Sequence, residues 1–457
     1  MPLAELPPDI LLAILAHANL NDAIHLLSTC SPLYELLRVK DFWLKALHHH
    51  PPPCPPGVVL LDLPVDSLRL YAIRAFKLHR SWSSPRPLPN DLRTIAISFP
   101  RNDFCVIPGT PLLLVTDYKT ITCRNTRTGK ALAFLELVAD EDKYTAYLLG
   151  KSPPLHTYQQ SLIPFSTILK STSEHSYRGA AIVSLDYTED WRATLSLSES
   201  QIFSSGPLPH PHFTPGGAPI DAALDSAYVC IVYHRMSTRL PVLVYWKRNE
   251  PKGKPHFVEI PQQVGLLPRV LIHNGAFYIS GTDTEDIVHI SSETGTIEYL
   301  SHPPEQRSTS FATSVTTQLF NPDSGVARIA LTKMRSLYFD GTFRLDKPVF
   351  YEPNASHPGT RVSRVWPGTS GRTAVIQCCS PTGIMGMLHW RLELVRYHPE
   401  ESKLTIHALS LDSALGLPRN SIHIRPHPIE LLIDDIGGVI YVVRTAQEGV
   451  FVLDYGA

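Results

Sequence analysis

From residue 92 to residue 457 no segment carries the spacing of a long amphipathic helix. Short runs of Val, Ile, Leu, Tyr and Phe are broken instead by clusters of Gly, Pro, Asn, Asp and Ser. A stretch this long built only of short strands exceeds a single sandwich, so the pattern demands a repeating β architecture.

The unit of repetition is clearest between Arg269 and Leu300. Arg269 to His273 reads as a strand, Gly275 turns it into Ala276 to Ser280, and Thr282 to Asp286 leads to Ile287 to Ser291. The turn Glu293-Thr294-Gly295 then returns the chain as Thr296 to Leu300. Related units lie at Leu112 to Leu137, Tyr228 to Ile260 and Thr373 to Leu409, with weaker ones near 145 to 197 and 310 to 350. The last unit, Val439 to Arg444 and Val450 to Tyr455, is short of a strand, whereas Arg93 to Ser98 is a strand without a unit. Pairing the two deficits closes a ring and removes its open sheet edge. The expected fold is mainly β, a seven-bladed β-propeller over residues 92–457, preceded by a small α-helical segment and a linking helix.

That helical segment occupies residues 1–47. Residues 9 to 47 hold no Gly and a single Pro, and their apolar residues recur at helical spacing. Ile10, Leu11, Ile14 and Leu15 form a first stripe, with Asp9 placed as a cap, and Ile24, Leu26 and Leu27 a second, capped by Asn21 or Asp22. Leu33, Leu36 and Leu37 follow Pro32, and Phe42, Trp43 and Leu47 close the series. So short a segment cannot hide this much apolar surface by itself, so a partner surface is expected. Between it and the ring, at 48–91, lie the proline-rich spacer His48 to Gly57, a helix over Leu63 to Trp82 capped by Asp66, and a second linker, Ser83 to Pro89.

The residues Leu-Pro-Pro-Asp-Ile-Leu-Leu-Ala-Ile-Leu, Leu6 to Leu15, resemble the opening of the F-box family. The resemblance continues through Leu20 to Ala23, Leu26, Leu27, Cys30 and Leu36 to Phe42–Leu47, departing from the family at Pro32-Leu33. It implies binding to the Skp adaptor and, through it, to cullin and RING subunits and a ubiquitin-conjugating enzyme. The positions matching the family's adaptor-contacting segment are Leu6, Pro7, Pro8, Ile10, Leu11, Ile14 and Leu15, with Leu20 and Leu27 added. Leu68 to Trp82 resembles the linking helix of F-box proteins that carry a propeller. The Trp-Asp dipeptide of WD repeats is missing, and Tyr245-Trp246-Lys247 stands nearest to it.

Charge and cysteine usage narrow the rest. A net charge of −1 argues against a general nucleic-acid or membrane-surface protein. Seven cysteines without a C-x-x-C pair read as free thiols in a reducing compartment. With no signal-peptide pattern and no apolar stretch of spanning length, the expected location is cytoplasmic or nuclear.

Catalytic and metal motifs are weak. His48-His49-His50 and His210-Pro211-His212 offer adjacent ligands that close a tetrahedral site poorly, and Cys378-Cys379 in a strand point to opposite faces. Asp434-Asp435 before Gly437-Gly438 reads as an acidic turn, and Asn354-Ala355-Ser356 as a glycosylation triplet without meaning inside a cell. Neither a phosphate loop nor a nucleophile elbow is present. No cofactor, metal or catalytic residue is expected. The reading is a substrate receptor of a Skp–cullin–F-box ubiquitin ligase that binds a target protein through its ring. The rivals are a scaffold outside a ligase and a propeller enzyme with a central-channel site. A cluster of Arg235, Arg239, Arg328, Arg335, Arg361, Arg364 and Arg372 at one mouth of the ring would point to phosphopeptide recognition.

Overall fold

The structure, a computed structural model, describes residues 5–15, 20–49, 60–97, 103–116, 120–136, 143–148, 155–157, 160–170, 176–188, 190–203, 219–234, 240–248, 250, 255–261, 269–273, 275–280, 287–300, 316–319, 328–332, 335–339, 361–370, 373–381, 388–398, 403–409, 429–444 and 449–456. Its described sheets number seven.

Blade 1 holds β2 (Asp103–Val106), β3 (Leu112–Thr116), β4 (Thr120–Asn125) and β5 (Ala131–Glu136). Blade 2 holds β6 (Lys143–Leu148), β8 (Gln160–Lys170), β9 (Ser176–Tyr187) and β10 (Ala193–Phe203), with the short β7 (Leu155–Thr157) also on β8. Blade 3 runs through β11 (Pro219–Leu224), β12 (Tyr228–His234), β13 (Pro241–Lys247) and β14 (His256–Glu259). Blade 4 runs through β15 (Arg269–His273), β16 (Ala276–Ser280), β17 (Ile287–Ser291) and β18 (Ile297–Leu300). In blade 5 the described strands are β19 (Thr316–Leu319), β20 (Arg328–Thr332) and β21 (Arg335–Phe339). Blade 6 comprises β22 (Arg361–Pro367), β23 (Thr373–Pro381), β24 (Leu388–His398) and β25 (Lys403–Leu409). Blade 7 comprises β26 (Ile429–Asp434), β27 (Val439–Arg444) and β28 (Val450–Asp454).

Every blade is antiparallel and lies in chain order, as hairpins joined by tight turns require. Blade 7 takes its outer strand from the other end of the domain: β1 (Asp91–Ile95) pairs with β28, Arg93 opposite Val452. Arg93 braces this closure by pairing with Asp91 at 2.7 Å and Asp454 at 2.9 Å. The ring is closed by contact as well. Each blade touches the next, from β26 against β2 round to β22 against β26, mostly through first strands, with β8 serving blade 2 against β11. This is the seven-bladed propeller expected from the repeats. Its cores lie between blades: Tyr245, Tyr228 and Phe277, for example, join blades 3 and 4.

Among the described residues five α-helices precede the ring: α1 (Pro8–Leu15), α2 (Leu20–Leu27), α3 (Ser31–Tyr34), α4 (Lys40–His49) and α5 (Val65–Trp82), with 3-10 turns at Glu35–Arg38 and Leu60–Asp62. Pro32 stands in the first turn of α3, where its fixed φ suits helix initiation. Three capping expectations are corrected. Asp9, Asp22 and Asp66 stand inside the first turns of α1, α2 and α5, and Pro64 holds the N-cap of α5. There they face the positive end of the helix instead of capping it. No described helix is long and apolar enough to cross a membrane. His50 to Gly57, most of the proline spacer, falls outside the described residues.

Helix α5 belongs to two cores. Its first half gives Leu68 and Ala72 to the core that holds Leu11, Leu27, Leu37 and Trp43. Its last turns give Leu78 and Trp82 to a core shared with blades 6 and 7. The helical segment and the ring are therefore joined by one continuous helix.

Candidate functional site

Helix α1 divides its apolar residues between two faces. Leu11 and Leu15, one turn apart, are buried in the helical core beneath Trp43, whose Nε1–H donates to the Leu37 carbonyl at 2.8 Å. Ile10 and Ile14, also one turn apart, look outward at 45% and 43% exposure, and Pro7 and Ala13 beside them are exposed too. The result is an apolar stripe on the surface of a packed helical hook. Isoleucine at that exposure leaves about 1 kcal/mol per residue to be gained by covering it.

The positions implied by the resemblance therefore separate. Pro7, Ile10 and Ile14 are available to a partner, and Leu6 is half-buried. Leu11, Leu15 and Leu27, also named from the resemblance, are buried in the hook's own core, where those stripes pack with α5. Pro8 and Leu20 begin α1 and α2, and their side chains are outside the description. Among the described residues, the hook's core draws on helical residues before the ring and on none from its strands.

The second built feature is the acidic turn, which the sequence presented as ordinary. Asp434 and Asp435 are buried where α5 meets the ring. The Gly109 N–H donates to both oxygens of Asp434 at 3.0 Å, and the Gly437 N–H to Oδ1 at 2.8 Å. Arg74 of α5 takes the other side of the same two glycines: Nη1 donates to the Gly109 carbonyl at 3.0 Å and Nη2 to that of Gly437 at 2.8 Å. Asp435 accepts from Ser370 N at 2.8 Å, Thr369 Oγ1 at 3.0 Å and the Ser370 hydroxyl. One knot thus gathers α5 and the first turns of blades 6, 7 and 1.

Glycine is required at this knot. A Cβ on Gly437 would collide with the Asp434 carboxylate. At Gly438, φ is +70° and a Cβ would stand 2.6 Å from Leu78 Cδ1. Gly438→Ala is expected to cost about 2–3 kcal/mol, read from the denaturant midpoint of unfolding.

Burial pushes the Asp434 carboxyl up to about 6, against the pull of Arg74 and of the Gly437 and Gly109 amides, with Asp435 adding to the rise. Asp435 is raised by burial as well. An unfolded aspartate titrates near 4, so between about pH 4 and 6 the folded chain holds a proton that the unfolded chain has released. The contribution of Asp434 to stability is thus full below about pH 4 and declines as pH rises through about 6. The advantage of the native chain over Asp434→Asn should shrink by about 2–3 kcal/mol between about pH 4 and 7, measured by denaturant unfolding at each pH.

Other sequence candidates do not converge. Among the described residues no three His, Cys, Asp or Glu side chains gather as a metal site. His210, His212 and Asn354–Ser356 lie outside the description, as do Arg235, Arg239 and Arg372. Of the remaining arginines, Arg328 begins the second strand of blade 5, at the hook's end of the ring. Arg335 begins β21, and Arg361 and Arg364 lie in β22; the side chains of all four are outside the description. Cys105, Cys123, Cys230 and Cys378 are buried, and burial pushes Cys105 and Cys123 up to about 12, where a thiolate nucleophile is unavailable.

Fold and site together define a class: a seven-bladed β-propeller that carries an N-terminal helical hook on a shared helix. No protein-family model matches this chain, and no curated protein does. Among solved structures, the WD40 domain of SCAP from fission yeast is 12% identical, with 76% of this chain and 82% of that one covered at a TM-score of 0.34. The C-terminal WD40 domain of Sif2 is 10% identical, with 80% and 98% covered at 0.42. A eukaryotic initiation factor structure is 12% identical, with 81% and 90% covered at 0.33. The ring itself rests on its own sheet order and blade contacts.

Proposed function

We propose that this chain is the substrate receptor of a Skp–cullin–F-box ubiquitin ligase, its hook docking on the Skp adaptor and its ring holding a target protein. The observation that carries this reading is the outward stripe of Ile10 and Ile14 on α1, continued by the exposed Pro7 just before it, within the segment that resembles an F-box. A partner of apolar, helical character suits that stripe, since an amphipathic surface of this kind pairs with a complementary groove or helix face.

The ring's geometry supports a division of labour. The turns that hold Arg74 join first to second strands, so α5 meets the ring on the end that carries those turns. Antiparallel order puts the connections between blades at the opposite end, away from the hook. A target seated there would be held at a set distance from the adaptor, and the chain's contribution would be proximity, with bond-making left to other subunits.

The test is reconstitution with Skp adaptor, cullin and RING subunits, and a search for proteins modified only when the full chain is present. Modification that requires the chain and is lost with Ile10→Asp/Ile14→Asp supports the receptor role. Adaptor binding with no modified protein favours a scaffold outside a ligase.

A further inference from the structure

Helix α5 enters two cores, and Arg74 lies between them. Leu68 and Ala72 precede it in the hook, whereas Leu78 and Trp82 follow it in the ring. Apolar contacts of this kind hold a helix in place without fixing its direction, since burial is non-directional. Hydrogen bonds from a planar guanidinium do fix direction, because the fork satisfies two carbonyls only from one approach. Arg74 makes two such bonds, to the Gly109 carbonyl of blade 1 and the Gly437 carbonyl of blade 7.

Those carbonyls are themselves immobilised. The amides of the same glycines are bonded to Asp434, so each glycine is gripped by a cation at its carbonyl and a carboxylate at its N–H. Asp435 extends the grip to Thr369 and Ser370 of blade 6. Gly456 completes the seat: a Cβ added there would lie 2.8 Å from the Gly437 carbonyl oxygen and 3.5 Å from Arg74 Nε. The helix is indexed against three blades of a closed ring, not against one loop.

We propose that Arg74 is a positioning residue that fixes the angle of the hook on the ring, and with it the gap between a docked adaptor and a target on the ring. The mechanical half of this inference depends only on the junction; its meaning for transfer rests on the receptor reading above.

The experiment measures the distance distribution between labels at Lys45 in α4 and Glu293 in the turn of blade 4, both exposed. Pulsed dipolar spectroscopy or single-molecule energy transfer on the full chain supplies it. The native chain should give one narrow distribution, and Arg74→Met should broaden it by at least about twofold, the signature of a freed hinge. Arg74→Lys keeps the charge and the stem but cannot span both carbonyls at a fixed angle, and should broaden it as well. If Arg74→Met fails to fold, Arg74→Lys carries the test. An unchanged width in either folded variant overturns the proposal. Affinity for the purified Skp adaptor, measured on the same samples, separates the two claims. Broadening without adaptor binding upholds the hinge and removes the receptor, whereas adaptor binding with an unchanged width does the reverse.

Discussion

Replacing Ile10 and Ile14 together with aspartate is expected to weaken capture of the Skp adaptor by at least about 100-fold, or some 3 kcal/mol. Both side chains are nearly half exposed on one face of α1, so the change removes surface that only a partner would cover. It also asks that partner to desolvate two carboxylates, which is the larger part of the effect. The hook's own core should tolerate it, because Leu11, Leu15, Leu27 and Trp43 form that core without them. Isothermal titration against purified adaptor reads the affinity, and circular dichroism on the same sample reads the helices. Leu11→Asp is the contrasting variant: it should unfold the hook instead of selectively blocking the partner, since its side chain is buried.

Trp82→Ala is expected to cost about 3–5 kcal/mol of stability and to loosen the hook from the ring. Trp82 is among the largest fully buried side chains, lodged with Leu394 and Leu409 of blade 6 and Leu453 and Tyr455 of blade 7. Its ring meets Tyr455 edge-on at 6.1 Å, and the Arg396 guanidinium lies 5.6 Å from its centroid. Burial already drags Arg396 down to about 10, opposed by Asp435, so removing the aromatic face takes support from a cation with little water around it. Chemical denaturation measures the loss. Limited proteolysis between α5 and β1 should accelerate in parallel, and an unchanged rate there would mean the helix is held by Arg74 alone.

The outer and middle strands of the blades were legible because they alternate and end at Gly turns. Ala276–Ser280 and Ile287–Ser291 appear in the structure with the limits their residues suggest, and so does one inner strand, Arg269–His273. The other innermost strands were harder. Pro219–Leu224, Arg361–Pro367 and Ile429–Asp434 carry Pro, Asp or Arg among their apolar residues and show no clean alternation. They face neighbouring blades on both sides, so their polar groups are satisfied across blades, as when Val270 N donates to Asp221 at 3.0 Å. Periodicity along one segment cannot report such a partner.

The hook shows the same limit. The spacing of Ile10, Leu11, Ile14 and Leu15 marks an apolar helix, yet it does not say which pair turns inward. That choice is made by α5, which supplies Leu68 and Ala72 from beyond the proline spacer. The knot at Asp434 was least legible of all. Its acceptors, donors and glycines come from α5 and three blades, and the only local sign was two aspartates before two glycines, a pattern shared by many plain turns.

The most direct test mixes the purified full chain with purified Skp adaptor at micromolar concentration and follows mass by light scattering during gel filtration. A single species of one chain and one adaptor, absent when Ile10 and Ile14 are aspartates, is the predicted result. Two separate peaks, each at its own mass, would contradict it.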